Sequence, residues 1–178
     1  MKTKRLIAGL ALLAATAGCV LVSGQFLVNF DLGSFSVTSP TDVHSQLVDL
    51  NTIGDYNDHK DNLKGLADVA ILGSIRNDGA EPVDIEVWMH PDDQPYILAS
   101  DVKANGIKLW GPFHLEPGET KHVDWDTSAG LFDPLGKVTL LGEIKGDGIF
   151  TVYALGAAGT YSFTVTDGQV VLVLNAGA

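Results

Sequence analysis

The sequence contains a single cysteine, Cys19, among its 178 residues. No intramolecular disulfide can therefore form, and a folded domain must be held together by packing. The chain is also poor in basic residues, with 11 Lys and Arg against 22 Asp and Glu and a net charge of −11. So negative a charge argues against binding to nucleic acid and against electrostatic attraction to anionic lipid.

The motifs of common catalytic sites are absent as well. The sequence has no GxSxG nucleophile elbow and no glycine-rich loop that leads into a helix. Its histidines form no HxH or HExxH pair, whereas a zinc site needs three or four converging ligands. No nucleophile, base and orienting group can be named together, so the sequence predicts a protein that is not an enzyme.

The N-terminal segment has the layout of a secretory signal. Lys2, Lys4 and Arg5 form a basic start, and residues 6–17 are apolar or small. This run is short for a membrane span, but residues 20–22 continue it. An uncleaved membrane anchor is therefore the alternative to a cleaved signal peptide.

Ala17-Gly18-Cys19, at the end of this segment, resembles the lipobox of bacterial lipoproteins. In that family signal peptidase II cleaves before the cysteine, which is lipidated and becomes residue one. Thr16 departs from the leucine that is usual three residues before the cysteine. The resemblance implies an exported protein of the bacterial cell envelope with lipidation at Cys19. Val20 in place of aspartate implies the outer membrane rather than the inner. The alternative is an inert thiol that is discarded with the signal.

These signals divide the chain into a signal peptide (1–18), a lipidated cysteine with a short tether (19–25) and a single domain (26–178). Cleavage removes three of the 11 basic residues and none of the 22 acidic ones, so the mature net charge becomes −14. The remaining chain is long enough to bury one good core. The plain interpretation of the acids is that they keep an exported β-protein in solution.

The stretch 68–90 indicates the fold class. In residues 83–90 apolar side chains alternate strictly with polar or aromatic ones. Period two is typical of a strand with one face in the core and one face in water. Turn-forming residues at 77–82 separate this strand from an apolar run before it, which predicts a β-hairpin. Further hairpins are predicted at 107–125, 137–155 and 160–174.

The sequence therefore predicts an all-β fold, an antiparallel β-sandwich of about nine or ten strands with one short helix in 54–66. Residues 170–174 are apolar without alternation, which predicts a central strand that is buried on both faces. The strand at 73–77, the Pro-Gly-Glu turn within 115–120 and the late hairpin are loosely similar to water-stress and desiccation-related sandwich domains. This resemblance implies a non-catalytic module.

Trp88 shares the polar register of its strand with Glu86 and His90, and is predicted to stand on the wet face of the sheet. Trp110 is predicted to do the same on a later strand. Exposed indoles beside carboxylates suit sugar stacking or a protein interface, so these four residues form a candidate ligand platform. The alternative is that the 91–106 loop or the short helix covers this face and makes Trp88 part of a second small core.

Asp55, Asn57, Asp58 and Asp61 form the sharpest acidic cluster. Calcium prefers several oxygen ligands from one flexible loop, so these residues are candidate calcium ligands. The segment is not an EF-hand, because His59 stands where a further ligand belongs. A helix cap with a solvated acidic face explains the same residues without a metal, and no other cofactor is predicted.

Together these features predict a non-catalytic envelope lipoprotein whose β-sandwich is a structural or binding module. Its expected partners are the membrane, through the lipid anchor, and an envelope protein or a glycan. The alternative is a soluble secreted or periplasmic β-sandwich that binds carbohydrate or calcium.

Overall fold

The computed structural model describes residues 24–39 and 43–177, in which the chain forms eight β-strands and four helices. The strands are β1 (Gly24–Thr38), β2 (His44–Asp49), β3 (Leu63–Asn77), β4 (Val83–His90), β5 (Ile107–Leu115), β6 (Thr120–Val123), β7 (Ile149–Gly156) and β8 (Ser162–Ala176). The helices are α1 (Gly54–His59), α2 (Ala99–Asn105), α3 (Trp125–Ala129) and α4 (Pro134–Lys145), with 3₁₀ turns at Leu50–Thr52 and Lys60–Asn62. The predicted signal peptide and Cys19 lie outside the described residues.

The strands form two four-stranded antiparallel sheets. The first sheet has the order β1-β8-β3-β6, and the second sheet has the order β2-β7-β4-β5. This strand order is that of a jelly roll, an eight-stranded double sheet built from Greek keys. The predicted all-β antiparallel sandwich is confirmed, with eight strands and four helices in the described residues rather than nine or ten strands and one helix.

The predicted hairpins are wrong in their pairing. The turn after β3 leads the chain from the first sheet into the second, because β3 pairs with β8 and β6 while β4 pairs with β5 and β7. β5 and β6 likewise lie in opposite sheets. Residues 137–145 belong to helix α4, and 162–174 lie within the single strand β8. Turn residues mark where the chain reverses, but they do not specify the strand that becomes the hydrogen-bonded neighbour.

Strand β8 lies between β1 and β3, which confirms the predicted central strand. Its inward residues Val170, Leu172 and Leu174 are buried between the sheets. Its outward residues Val171 and Val173 are half-buried, so the prediction that this strand is buried on both faces was wrong. The outward side of the first sheet is therefore partly open to solvent.

Strand β6 pairs with β3 only at residues 73–76, and helix α3 covers the edge of β3 just before them. The Ser128 hydroxyl, which is buried, accepts a hydrogen bond from the backbone N–H of Ile71 in β3 at 2.7 Å. An unpaired strand edge would otherwise leave buried polar groups without partners. Helix α4 follows, with Asp133 as its N-cap and Pro134 at its first position, and buries Leu140 against the sandwich.

One end of the sandwich brings together the start and the end of the described chain. Gly24 pairs with Ala176, and α1 packs beside them. The Tyr56 side chain of α1 is buried, and its hydroxyl donates to the backbone oxygen of Ile144 at 2.9 Å. Among the described residues, no helix is both long enough and apolar enough to cross a membrane.

Candidate functional site

The predicted ligand platform lies on the outward side of the second sheet, beneath α2. Trp88 is half-buried, and its Nε1–H donates to Glu86 Oε2 at 3.1 Å. The Glu86 side chain is also 3.7 Å from the Nζ atoms of Lys103 and Lys108. Because Lys103 belongs to α2, the helix brings a cation over this face. The indole and the carboxylate therefore bind groups of the chain itself.

The loop that precedes α2 is fixed to the same face. The backbone N–H of Gln94 donates to Thr151 Oγ1 at 3.3 Å, and the Tyr153 hydroxyl donates to the Gln94 backbone oxygen. His90 lies edge-on to Tyr96, with 5.7 Å between the ring centroids. The alternative weighed for Trp88, a face covered by the 91–106 segment, is the arrangement found.

Trp110 is fully buried, so its expected position on the wet face is wrong. Ile85 pairs with Phe113, and Val87 pairs with Trp110, so β5 contains one more residue than β4 across this interval. Such a bulge shifts the side-chain alternation and turns Trp110 inward. It includes Gly111, whose φ of +100° favours glycine.

The candidate calcium ligands Asp55, Asn57, Asp58 and Asp61 lie exposed on α1 and the 3₁₀ turn that follows it. The Asn57 amide donates to the backbone oxygen of Asn51. Within the described part of the chain, no group of three or more His, Cys, Asp or Glu side chains is placed to hold a metal ion. Calcium binding stays a prediction without a converging ligand set.

A recess of about 420 Å³ opens on the outward side of the first sheet, where β3, β6 and β8 run side by side. We call it the outer recess. Volumes of about 300–1,000 Å³ are typical of sites for small ligands. Its lining includes the polar or aromatic side chains of Ser74, His122, Asp124, Trp125, Asp167 and Gln169.

The outer recess lies at a backbone irregularity. The pairing of β3 with β8 shifts register between Leu72 and Ser74. Opposite this shift Asp167 adopts a φ of +52°, and Gly73 adopts a φ of +141°. Residues held in such conformations cluster at functional sites, which directs attention to this one. The turn of the hairpin predicted at 160–174 includes Asp167, which instead forms a bulge inside β8.

One wall of the outer recess is set by the start of α3. Asp124 caps this helix, and the hydrogen bonds from Thr127 to its carboxylate hold the pKa of Asp124 below its usual range. The cap places Trp125 at the first helical position, where its Nε1–H donates to Asp68 Oδ2 at 3.0 Å. Trp125 follows the alternation of Val123, which predicts a core position, but it is half-buried because the strand ends before it.

Ser74 and His122 are cross-strand partners in the outer recess, with 3.3 Å between Ser74 Oγ and His122 Nδ1. A hydroxyl–imidazole pair is the first part of a hydrolase triad, whose third member orients the imidazole. Among the described residues, no carboxylate hydrogen-bonds to His122, and Asp124 instead caps α3. Both side chains line the recess, where they can form hydrogen bonds with a ligand.

An interior cavity of about 40 Å³ lies between the sheets, and its lining is almost wholly apolar. Its polar lining residue His44 stacks on Phe35, with 3.6 Å between the ring centroids. Burial lowers the pKa of His44, and its Nε2 atom has no hydrogen-bond partner within residues 24–39 and 43–177. The cavity has space for a few water molecules at most.

A further polar recess of about 360 Å³ lies beside α1 at the end of the sandwich. Asn51 occupies its centre, donating to the backbone oxygen of Asp147 at 2.8 Å and accepting from Lys60 Nζ at 3.1 Å. Asn51 is thus engaged on both sides, whereas the other lining residues include the charged side chains of Asp61 and Lys145. In the outer recess, by contrast, the side chains of Asp167 and Gln169 have no hydrogen-bond or ion-pair partner among the described residues.

Comparisons with known proteins identify no relative from which a function can be taken. No protein-family model matches the sequence, and no curated protein matches it. A solved structure from Desmodium yellow mottle tymovirus is similar over 87% of this chain and 90% of its own, with 10% sequence identity and a TM-score of 0.27. A likeness this weak supports no inference.

Proposed function

We propose that the chain is a non-catalytic lipoprotein of the bacterial cell envelope, with the β-sandwich as a binding module on a lipid anchor at Cys19. The observation that carries the proposal is the position of the one cysteine, at the end of a lipobox-like segment and shortly before β1. The five residue-to-residue steps from Cys19 to Gly24 span at most about 18 Å. The end of the sandwich with Gly24, Ala176 and α1 then lies close to the bilayer.

A binding role rather than a catalytic one is supported by the outer recess. It offers hydrogen-bonding groups and an aromatic wall, but its Ser74–His122 pair lacks an orienting carboxylate among the described residues. An anchored module with this recess can hold a ligand or partner near the membrane surface without transforming it.

The experiment is the intact mass of the native protein together with envelope fractionation. We expect a mass without residues 1–18 and with acyl chains, and a Cys19→Ala variant that is lost from the membrane fraction. Ser23→Ala, a nearby substitution that leaves the cysteine, is the matched control and should remain membrane-bound. A cleaved or uncleaved chain without lipid would overturn the proposal and favour the soluble or signal-anchored alternative.

A further inference from the structure

We propose that the outer recess binds a neutral, hydroxyl-rich ligand of the carbohydrate class. This inference deepens the proposed binding role, because it gives that role a site and a class of ligand. It also moves the site away from Trp88, to which the sequence pattern had assigned it. The indole at the site is instead that of Trp125.

The aromatic wall of the outer recess is the indole of Trp125. An indole can stack on the apolar face of a pyranose ring, provided that the indole is held in place and partly open. Trp125 meets both conditions, since its Nε1–H is fixed by Asp68 at 3.0 Å while the side chain is half-buried and lines the recess. Trp110 is fully buried, and Trp88, which is also half-buried, stands beside a carboxylate, Glu86, that already faces Lys103 and Lys108 at 3.7 Å.

The recess also contains the polar side chains of Asp167 and Gln169. The carboxylate of Asp167 and the amide of Gln169 lie in the recess without partners among the described residues, so they are available to a ligand. A carboxylate accepts hydrogen bonds from neighbouring hydroxyl groups, and an amide both donates and accepts. A ligand that carries several hydroxyl groups on a small ring matches this set.

Part of the lining of the outer recess is held in a fixed conformation. Asp167 is held in a left-handed conformation beside Gly73, and its backbone N–H donates to Ser34 Oγ at 3.0 Å. Ser74 and His122 are fixed as a cross-strand pair on neighbouring strands. The backbone of Asp167 and the side chains of Ser74 and His122 are thus already in place and lose little conformational entropy when a ligand binds, which favours recognition of a small polar molecule.

The charged side chains of the outer recess are mainly acidic. Asp124 and Asp167 are the acidic residues that line the recess, and His122 is its basic side chain. The mature chain as a whole is strongly acidic. Phosphorylated or uronic-acid ligands would meet repulsion there, so the charge favours a neutral sugar.

The experiment uses the native lipoprotein, extracted in a detergent without a sugar headgroup. Saturation-transfer NMR titrations with cellotriose, maltotriose and chitotriose measure binding without relying on tryptophan emission. We expect saturable binding of at least one trisaccharide. Trigalacturonate, which is anionic, should bind more weakly than that trisaccharide.

Four variants locate the site. Trp125→Ala should abolish the saturable signal, Asp167→Asn should weaken binding about tenfold, and Gln169→Ala should weaken it about threefold. Asp93→Asn, an exposed loop carboxylate on the other side of the sandwich, should bind like the wild type. Asp167→Asn is informative even if Trp125→Ala fails to fold, because asparagine tolerates the left-handed conformation.

The outcomes separate this inference from the proposed function. No saturable signal with any neutral trisaccharide, or binding that survives both Asp167→Asn and Gln169→Ala, overturns the carbohydrate site and leaves the lipid anchor intact. Stronger binding of trigalacturonate overturns the charge argument and with it the neutral ligand class. Cleavage of a trisaccharide that Ser74→Ala prevents overturns the non-catalytic role and retains the site.

Discussion

The two outward faces of the sandwich carry similar residues and differ in what covers them. On the second sheet an indole and a carboxylate, Trp88 and Glu86, lie beneath α2 and bind one another and two lysines. On the first sheet the indole of Trp125 stands beside Asp124 and Asp167 in an open recess. The first arrangement stabilises the fold, and the second leaves polar groups available to a ligand.

The difference comes from the segments that follow the strands. After β4 the chain folds back over its own sheet, so the polar register of that strand is covered. After β6 the chain turns along the edge of β3, so the face beside it stays open. Alternation determines the side of the sheet on which a residue lies, whereas exposure depends on the path of the next segment.

The largest change in the free energy of unfolding is expected at Gly73, in the backbone irregularity that lines the outer recess. Gly73→Ala should lower the free energy of unfolding by about 2–3 kcal/mol, because φ is +141° and a Cβ would lie 3.1 Å from two backbone oxygens. Gly142→Ala, in an open position on α4, should instead raise it by about 0.5–1 kcal/mol. Urea unfolding measures both. Equal effects at the two glycines would show that the recess backbone is not strained.

The fold class could be predicted from the sequence, but strand pairing could not. Period two in residues 83–90 identified β4 and its inward side. Nothing local could reveal that β3 pairs with β8 and β6, because these contacts join distant parts of the chain. The apolar side chains of residues 137–145 suit a strand as well as a helix, and the Asp133-Pro134 cap is the signal that favours the helix.

The ligand platform predicted from the sequence differs from the proposed recess. The chain has three tryptophans, and the alternation pattern selected Trp88 and Trp110 as exposed indoles beside acids, whereas the proposed recess contains Trp125. The bulge at Gly111 reversed the orientation of Trp110. Asp124 before Trp125 was a helix-cap signal that placed this indole outside the strand. The Asp167-Gly168 pair signalled a bulge as well as a turn.

A smaller change in the free energy of unfolding is expected at Glu86, the carboxylate that faces two lysines on the second sheet. Glu86→Gln keeps an acceptor for the Trp88 Nε1–H but removes the charge that faces Lys103 and Lys108 at 3.7 Å. We expect the free energy of unfolding to fall by about 1–2 kcal/mol. Glu116→Gln, whose side chain is 65% exposed, is the matched control and should change it by less than about 0.5 kcal/mol. Equal losses would contradict the distinction between covered and open groups.

The smallest effect on the free energy of unfolding is expected from two histidines, the half-buried His44 and the exposed His114. Burial lowers the pKa of His44 below its ordinary value of 6.5, so as the pH falls below 6.5 the unfolded chain takes up a proton more readily than the folded chain. His44 therefore reduces stability under mildly acidic conditions. Hydrogen bonds to Asp84 and Glu116 raise the pKa of His114, so its contribution is fully present below pH 6.5 and is lost as the pH rises through the folded value.

The pKa shifts of His44 and His114 have opposite signs, so each histidine is the control for the other. The free energy of unfolding is measured between pH 7.5 and 5.5, above the range in which most carboxylates titrate. His44→Phe keeps a ring for Phe35 to stack on, and its stability relative to the wild type should rise as the pH falls. The relative stability of His114→Gln should fall over the same range. Parallel slopes for the two variants would mean that the partial burial of His44 does not control its protonation.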